Sequence, residues 1–210
     1  MNANWYQSMK LYYVHDPMCS WCWAFRPVWA KIAEGLPAHV EAQRVLGGLA
    51  PDTDAPMPES TRAYVQRNWR KIQEVAPRTP FNFEFWERCR PRRSTYPACR
   101  AVIAAMAQGA HYEEPMILAI QQAYYLEARN PSDDDTLIEL ARDLGLDTGH
   151  FAEVLNSSET QAELLRQIEF SRRIGARGFP SLILEENGIY RALSFDYHEP
   201  AIVLEAICDR

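Results

Sequence analysis

Cys19-Ser20-Trp21-Cys22 is the stretch whose residue types and spacing could do chemistry, and that chemistry would be thiol–disulfide exchange. A thiolate rather than a thiol attacks a disulfide sulfur, and a free cysteine is mostly protonated at neutral pH. Such a pair therefore needs a helix start, where unpaired amides and the helix dipole favour negative charge. The flanking sequence supplies one. Met9-Lys10-Leu11-Tyr12-Tyr13-Val14 has the composition of a short buried strand, and Asp16-Pro17 turns out of it. From Trp21 onward Phe25, Val28, Trp29, Ile32 and Ala33 recur at helical spacing, and Gly35 with Pro37 ends the run. Cys19 is thus expected at a helix N-terminus as the attacking thiol, with Cys22 one turn later to resolve the mixed disulfide.

The same spacing can serve half of a zinc site, which requires two further ligands. Cys89, Cys99, Cys208 and five histidines provide neither a second Cys-x-x-Cys nor a close histidine pair, so no metal is expected. A pair of buried thiols acting as small core residues is the other alternative.

A second motif lies far along the chain. Gly178-Phe179-Pro180-Ser181 leads into Leu182-Ile183-Leu184, then Asn187-Gly188 turns into Ile189-Tyr190-Arg191-Ala192-Leu193: a loop, a strand, a hairpin turn and a second strand. Pro180 stands at the strand entrance, where a missing amide hydrogen is tolerated.

Taken together, Cys19-Ser20-Trp21-Cys22 after a first strand, a long helical middle, and Gly178-Phe179-Pro180-Ser181 before a hairpin and last helix resemble the DsbA-like branch of the thioredoxin superfamily. The closest likeness is to its cytosolic members, akin to the FrnE-type oxidoreductases. The resemblance implies an α/β, thioredoxin-like fold with a large all-α insertion. It also implies a cis Pro180 facing the disulfide, and a Phe179 backbone that pairs with an extended substrate. By residues alone, a trans Pro180 in a plain loop stays open, because only about 5–6% of X-Pro bonds in folded proteins are cis. Unlike DsbA itself, the dipeptide Ser20-Trp21 contains no histidine, which argues against strong oxidising power.

A formal charge of −6, with 24% charged residues, gives no basic excess for nucleic acid. No apolar run is long enough to span a bilayer. Met1 to Ser8 has neither the basic start nor the apolar stretch of a secretory signal, so a cytoplasmic protein is expected. Five cysteines, an odd number, do not suit a secreted disulfide framework.

Val40 to Leu46 alternates as a second strand, parallel to the first by the right-handed crossover rule. The prolines and aspartates of residues 50–58 form an exit loop. Helices are expected at 59–76, 97–109, 114–129, 133–145 and 148–155, a return helix at 159–174, and a closing helix at 198–208 with Pro200 in its first turn. The expected organisation is a thioredoxin-like core of 1–54 plus 159–210 with a helical insertion over 55–158. Leu164, Leu165, Ile168 and Ile174, and later Ile202, Val203, Ala206 and Ile207, are expected to face inward.

Several features have a chemical and a plain reading. Arg88, Arg90, Arg92 and Arg93 precede a capped helix start at Ser94-Thr95-Tyr96-Pro97, which could hold an anion such as a glutathione carboxylate. The kappa-class glutathione transferases and hydroxychromene-carboxylate isomerases resemble this arrangement; the plain reading is a solvated loop paired with nearby acids. Cys89 and Cys99 are either a second exchangeable disulfide or separate thiols, and Cys208 is expected in the core. Asp133-Asp134-Asp135 lacks the pattern of a calcium loop and reads as the first turn of a helix capped by Ser132. His15 either handles protons near the disulfide or is a satisfied strand-end residue. Phe25 and Trp29 share a core face, whereas Trp21 is a surface candidate for substrate contact.

The first functional expectation is a thiol–disulfide oxidoreductase or isomerase acting on protein or peptide thiols and disulfides. It needs no bound cofactor, with glutathione as an alternative redox partner. Cys19 and Cys22 are its catalytic pair, and Trp21, Phe179 and Pro180 its substrate-binding residues. The alternative is a glutathione-dependent transferase or small-molecule isomerase on the same fold. A third is a binding module with inert thiols.

Overall fold

The structure is a computed structural model, and it describes residues 9–208. β1 (Met9–His15) runs parallel to β2 (Val40–Leu46), in register from Met9 opposite Val40 to His15 opposite Leu46. Between them α1 (Ser20–Gly35) makes the crossover, starting directly after Cys19. On the other side β1 pairs antiparallel with β3 (Ser181–Glu186), which pairs antiparallel with β4 (Ile189–Leu193), so the sheet order is β2-β1-β3-β4. The central β1 is buried along nearly its whole length, as its continuous apolar run requires.

The helical middle begins with α2 (Glu59–Val75), followed by the single turn α3 (Phe85–Arg88) and α4 (Tyr96–Met106). A 3-10 turn at Ala110–Tyr112 then leads into α5 (Glu113–Tyr125), α6 (Asp134–Asp143) and α7 (Thr148–Leu155). α8 (Ser158–Arg173) returns the chain to the sheet and α9 (Ala201–Cys208) closes it. The architecture is the expected α/β arrangement of a thioredoxin-like sheet with a large helical segment between its halves. The segment α3 went unforeseen because four residues are too few to show a helical period.

Two main cores result. One lies between the sheet and its covering helices, with Leu11, Phe25, Trp29, Ile32, Leu182 and Val203 at its centre. The other is built from the helices, where Trp69 is ringed by Phe81, Phe83, Phe85, Trp86, Tyr124 and Tyr125 at centroid distances of 4.8–6.2 Å. α8 links the helical core to a smaller cluster on the sheet: Leu164 and Ile168 enter the helical core, while Phe170 and, just past the helix, Ile174 pack beside Tyr12 and Ile183.

Three inward assignments are corrected. The buried residues of α8 are Thr160, Leu164, Ile168 and Ser171, a stripe that leaves Leu165 facing solvent. In α9 the stripe is Val203 and Ile207, four residues apart, so Ile202 is exposed, and so is Cys208. Pro200 stands just outside that helix, where its carbonyl accepts from the amides of Val203 and Leu204 at 3.2 Å.

Candidate redox site

The strand β1 ends at His15, and four residues later the chain enters α1. Asp16 makes this turn. Its Oδ1 accepts from the Met18 amide at 2.8 Å, and its Oδ2 from the Leu49 amide at 2.7 Å and the Thr95 hydroxyl at 2.6 Å. The Cys99 thiol donates to the same oxygen at 3.6 Å. One fully buried carboxylate thus ties together the loop before Cys19, the loop after β2 and the start of α4. Burial pushes the Asp16 pKa up, opposed by the hydrogen bonds from Leu49, Thr95 and Met18.

Thr95 also accepts from the Ala50 amide at 3.0 Å. Its side chain therefore does not cap α4 as expected, because its hydroxyl is committed to Asp16. Ser132 is likewise not a cap. It is buried and donates to the Ser94 carbonyl at 2.6 Å, leaving Asp133 in the N-cap position of α6.

Cys19 occupies the N-cap position of α1 with extended backbone angles, and no acidic residue stands in the helix's first turn. Its thiol donates to the Phe179 carbonyl at 3.5 Å, although 160 positions separate the two in sequence. The Phe179–Pro180 peptide bond is cis, the isomer the resemblance implies. Cys22 is fully buried behind Cys19 and within hydrogen-bonding reach of it, and burial first, then Cys19, pushes its pKa well up. No disulfide links the two, and the other three cysteines are also free. The Cys89 thiol donates to the Ala128 carbonyl at 3.0 Å and that of Cys99 to Asp16, so they are separate thiols.

A cleft of about 420 Å³ opens over Cys19. Trp21 and Phe179 line it together with Leu49, Val65, Gly47 and Gly48. Trp21 is half-buried against Tyr197, with ring centroids 5.2 Å apart, and Phe25 and Trp29 are core residues. The Phe179 ring lies on Gly47: a Cβ there would fall 1.9 Å from its Cε1, so a larger residue and this ring position are incompatible. Gly48 has φ +61°, in the left-handed region that glycine tolerates. These neighbours of Cys19 gave no sequence signal beyond a strand-ending Gly-Gly.

His15 is buried, stacked on Tyr13 at 5.1 Å, and its Nε2 lacks a partner. Burial, and then Arg44, lower its pKa to about 3. A ring held neutral in this way does not exchange protons near neutral pH. The four clustered arginines divide, and Arg90 among them is exposed. Arg92 pairs with Asp133 at 2.8 Å and Arg88 with Glu84 at 3.3 Å, as the plain reading has it, but Arg93 lines the cleft over Cys19.

A parallel β1–α1–β2 unit, an antiparallel hairpin entered through a cis-proline, and a Cys-x-x-Cys at a helix start define the thioredoxin class. The chain belongs to the thioredoxin family: a family model described as thioredoxin matches residues 12–195. Among solved structures it is similar to a proposed protein disulfide isomerase from Nitrosomonas europaea, at 29% identity and TM-score 0.81, covering 97% of each chain. It is also similar to DsbM, a cytosolic disulfide reductase from Pseudomonas aeruginosa, at 27% identity and TM-score 0.76, covering 95% of this chain and 97% of that one. DsbM has also been solved with glutathione. Among curated proteins it is similar to the ClpXP adapter protein SpxH of Halalkalibacterium halodurans, 23% identical over 94% of this chain and 67% of that protein. The chain spans about two thirds of the length of the curated relatives it matches. No helix among the described residues is long and apolar enough to cross a membrane.

Proposed function

We propose that this chain is a thiol–disulfide oxidoreductase that acts on protein or peptide disulfides in the cytoplasm, with glutathione as a small redox partner. The observation that carries this reading is the approach of the Cys19 sulfur to within 3.5 Å of the Phe179 carbonyl, with Cys22 buried behind it. The likeness to a cytosolic disulfide reductase supports both the compartment and the reducing direction.

The reaction proceeds in two exchanges. The Cys19 thiolate attacks one sulfur of the substrate disulfide, forming a mixed disulfide, and the other substrate sulfur leaves as a thiolate and takes up a proton. Cys22 then loses its proton and attacks the Cys19 sulfur. The Cys19–Cys22 disulfide forms and the second substrate thiol is released, so the substrate gains the two electrons that the pair loses. Burial keeps Cys22 protonated, which protects the mixed disulfide from premature resolution. Phe179 and Pro180 supply the edge along which an extended substrate lies, and Trp21 with Tyr197 forms the apolar wall next to it. The division into a catalytic core of 1–54 plus 159–210 and a covering unit of 55–158 belongs to the same proposal. Isomerase activity would use the first exchange alone, with Cys19 released by a substrate thiol instead of Cys22.

The test is trapping. Cys22→Ser mixed with a peptide disulfide should accumulate a single adduct on Cys19, seen by intact mass. Cys19→Ser should form none and should not reduce insulin. If Cys19→Ser kept full insulin-reducing activity, the reading would be wrong. Equilibration in graded glutathione buffers, followed by acid quench and mass analysis, separates the readings further. A two-electron transition without adduct supports the oxidoreductase, and a midpoint near −270 mV supports reduction. A glutathione that persists on Cys19 despite an intact Cys22 supports a glutathione-dependent transferase instead.

A further inference from the structure

Six more acidic than basic residues make the protein anionic as a whole, yet the cleft over Cys19 has the opposite character. Arg93, Arg172 and Arg177 line it from three separate elements: the loop before α4, the end of α8 and the loop before Pro180. No aspartate or glutamate lines it. Elsewhere among the described residues Arg26, Arg44, Arg92, Arg100, Arg129 and Arg166 each pair with a carboxylate, whereas exposed arginines such as Arg67 and Arg142 do not. It is the convergence of three guanidinium groups on one acid-free cleft that is distinctive. The three cleft arginines form no such pair among the described residues, and Arg93 stands unpaired beside the paired Arg92. Asp16, which holds the Met18 and Leu49 amides behind the cleft lining, is buried, and its oxygens are occupied by Met18, Leu49 and Thr95.

Unpaired guanidinium groups converging on a concave surface raise the local concentration of anions and offer planar, bidentate donors for carboxylates. The amide of Asn68 and the apolar side chains of Leu49, Val65 and Phe179 complete the wall, and the volume of about 420 Å³ falls within the range of small-ligand sites. Building on the oxidoreductase reading, we propose that this cleft selects anionic partners: thiols or disulfides whose reactive sulfur is flanked by carboxylates, held by Arg93, Arg172 and Arg177. The redox step is unchanged. The arginines act as positioning residues that speed encounter and fix the substrate's direction across Cys19.

Two sources carry this chemistry, acidic peptide segments and oxidised glutathione, and the experiment treats them as separate arms. Reduced protein is mixed in single turnover with quenched peptide disulfides whose flanking residues are glutamate, glutamine or lysine, and in parallel with oxidised glutathione. At low salt the glutamate peptide should react about tenfold faster than its glutamine isostere, and the lysine peptide slowest. In the unaltered protein that advantage should fall towards unity near 1 M salt, where the Debye length is about 3 Å. Arg172→Gln combined with Arg177→Gln, which leaves Arg93 in place, should cut the glutamate-over-glutamine rate ratio severalfold. Arg142→Gln, on the remote α6, should leave the preference intact. Equal rates for the glutamate and glutamine peptides would overturn the proposal while leaving the oxidoreductase reading standing. Failure of every disulfide to react would remove that reading and this inference with it. The faster of the glutamate-peptide and glutathione arms identifies the source, and a preference unaffected by the double variant would overturn the assignment to these arginines.

Discussion

The two cores of this molecule are built on different terms. The sheet side is held by backbone pairing in fixed register, with β1 bonded on both edges, and it supplies Cys19, Cys22 and Pro180. The helical side has no such ladder. It coheres through side-chain packing around Trp69 and reaches the redox loop both through apolar contacts, with Met18 in the helical core and Trp23 stacked on Tyr125, and through the polar contacts of Thr95 and Cys99 with Asp16. The sheet side thus sets where the sulfurs are, and the helical side adds Val65, Asn68, Arg93 and Tyr124 to the wall of the cleft.

The sharpest way to break this comparison is at the centre of the helical core. Trp69→Ala should destabilise the protein by about 3–5 kcal/mol in chemical denaturation, through lost burial and the cavity left behind. If the two cores are energetically distinct, circular dichroism should show the helical transition preceding exposure of the buried Cys22 to alkylation. Coincident transitions would show that they unfold as one.

At the seam between the regions, Gly47→Ala places a methyl group where the Phe179 ring lies and displaces the docking edge. Insulin reduction should fall by about tenfold to a hundredfold, in keeping with displacements of about 1 Å near a reacting centre. The midpoint of the helical transition should change little.

On the sheet side, His15 is neutral when folded and protonates near pH 3, against about 6.5 when unfolded. The unfolded state binds the extra proton between those values, so stability falls as pH drops through that window. The loss should be about 2 kcal/mol between neutral pH and pH 5. His15→Phe should flatten this acid limb, measured by denaturation at several pH values.

The smallest expected effect concerns the link itself. Asp16→Asn keeps the shape but replaces one acceptor oxygen with a donor, opposing either the Met18 amide or the Leu49 amide with the Thr95 hydroxyl. It also removes a buried charge. The balance should be a destabilisation of about 1–2 kcal/mol, read from the denaturation midpoint. A stabilised variant would show that charge burial outweighs the hydrogen bonds.

The sheet side was largely legible in the sequence. β2 and β4 match their expected bounds, because apolar alternation and the Asn187-Gly188 turn specify them locally. The helical side was legible as helices but not as packing. Ser132 and Thr95 have cap-like sequence contexts, yet both side chains serve contacts more than 35 positions away. Leu165 and Cys208 sit one residue beyond a buried stripe, where a 3.6-residue period separates core from solvent by a single step. Around the cleft, Cys19, Phe179 and Pro180 could be singled out from the sequence because they form motifs, whereas the nearness of Asp16, Gly47, Arg172 and Arg177 to Cys19 arises only when distant loops meet.

The Asp16 carboxylate has one more consequence, which concerns time rather than place. The amides of Met18 and Leu49, from different loops, both end on this one group. Neither loop can swing away while the other keeps the carboxylate in place without breaking its own bond. Their protons should therefore exchange with solvent in a shared opening event. The slow step that frees one loop would be the step that frees the other, so the floor of the cleft would open as a single latch.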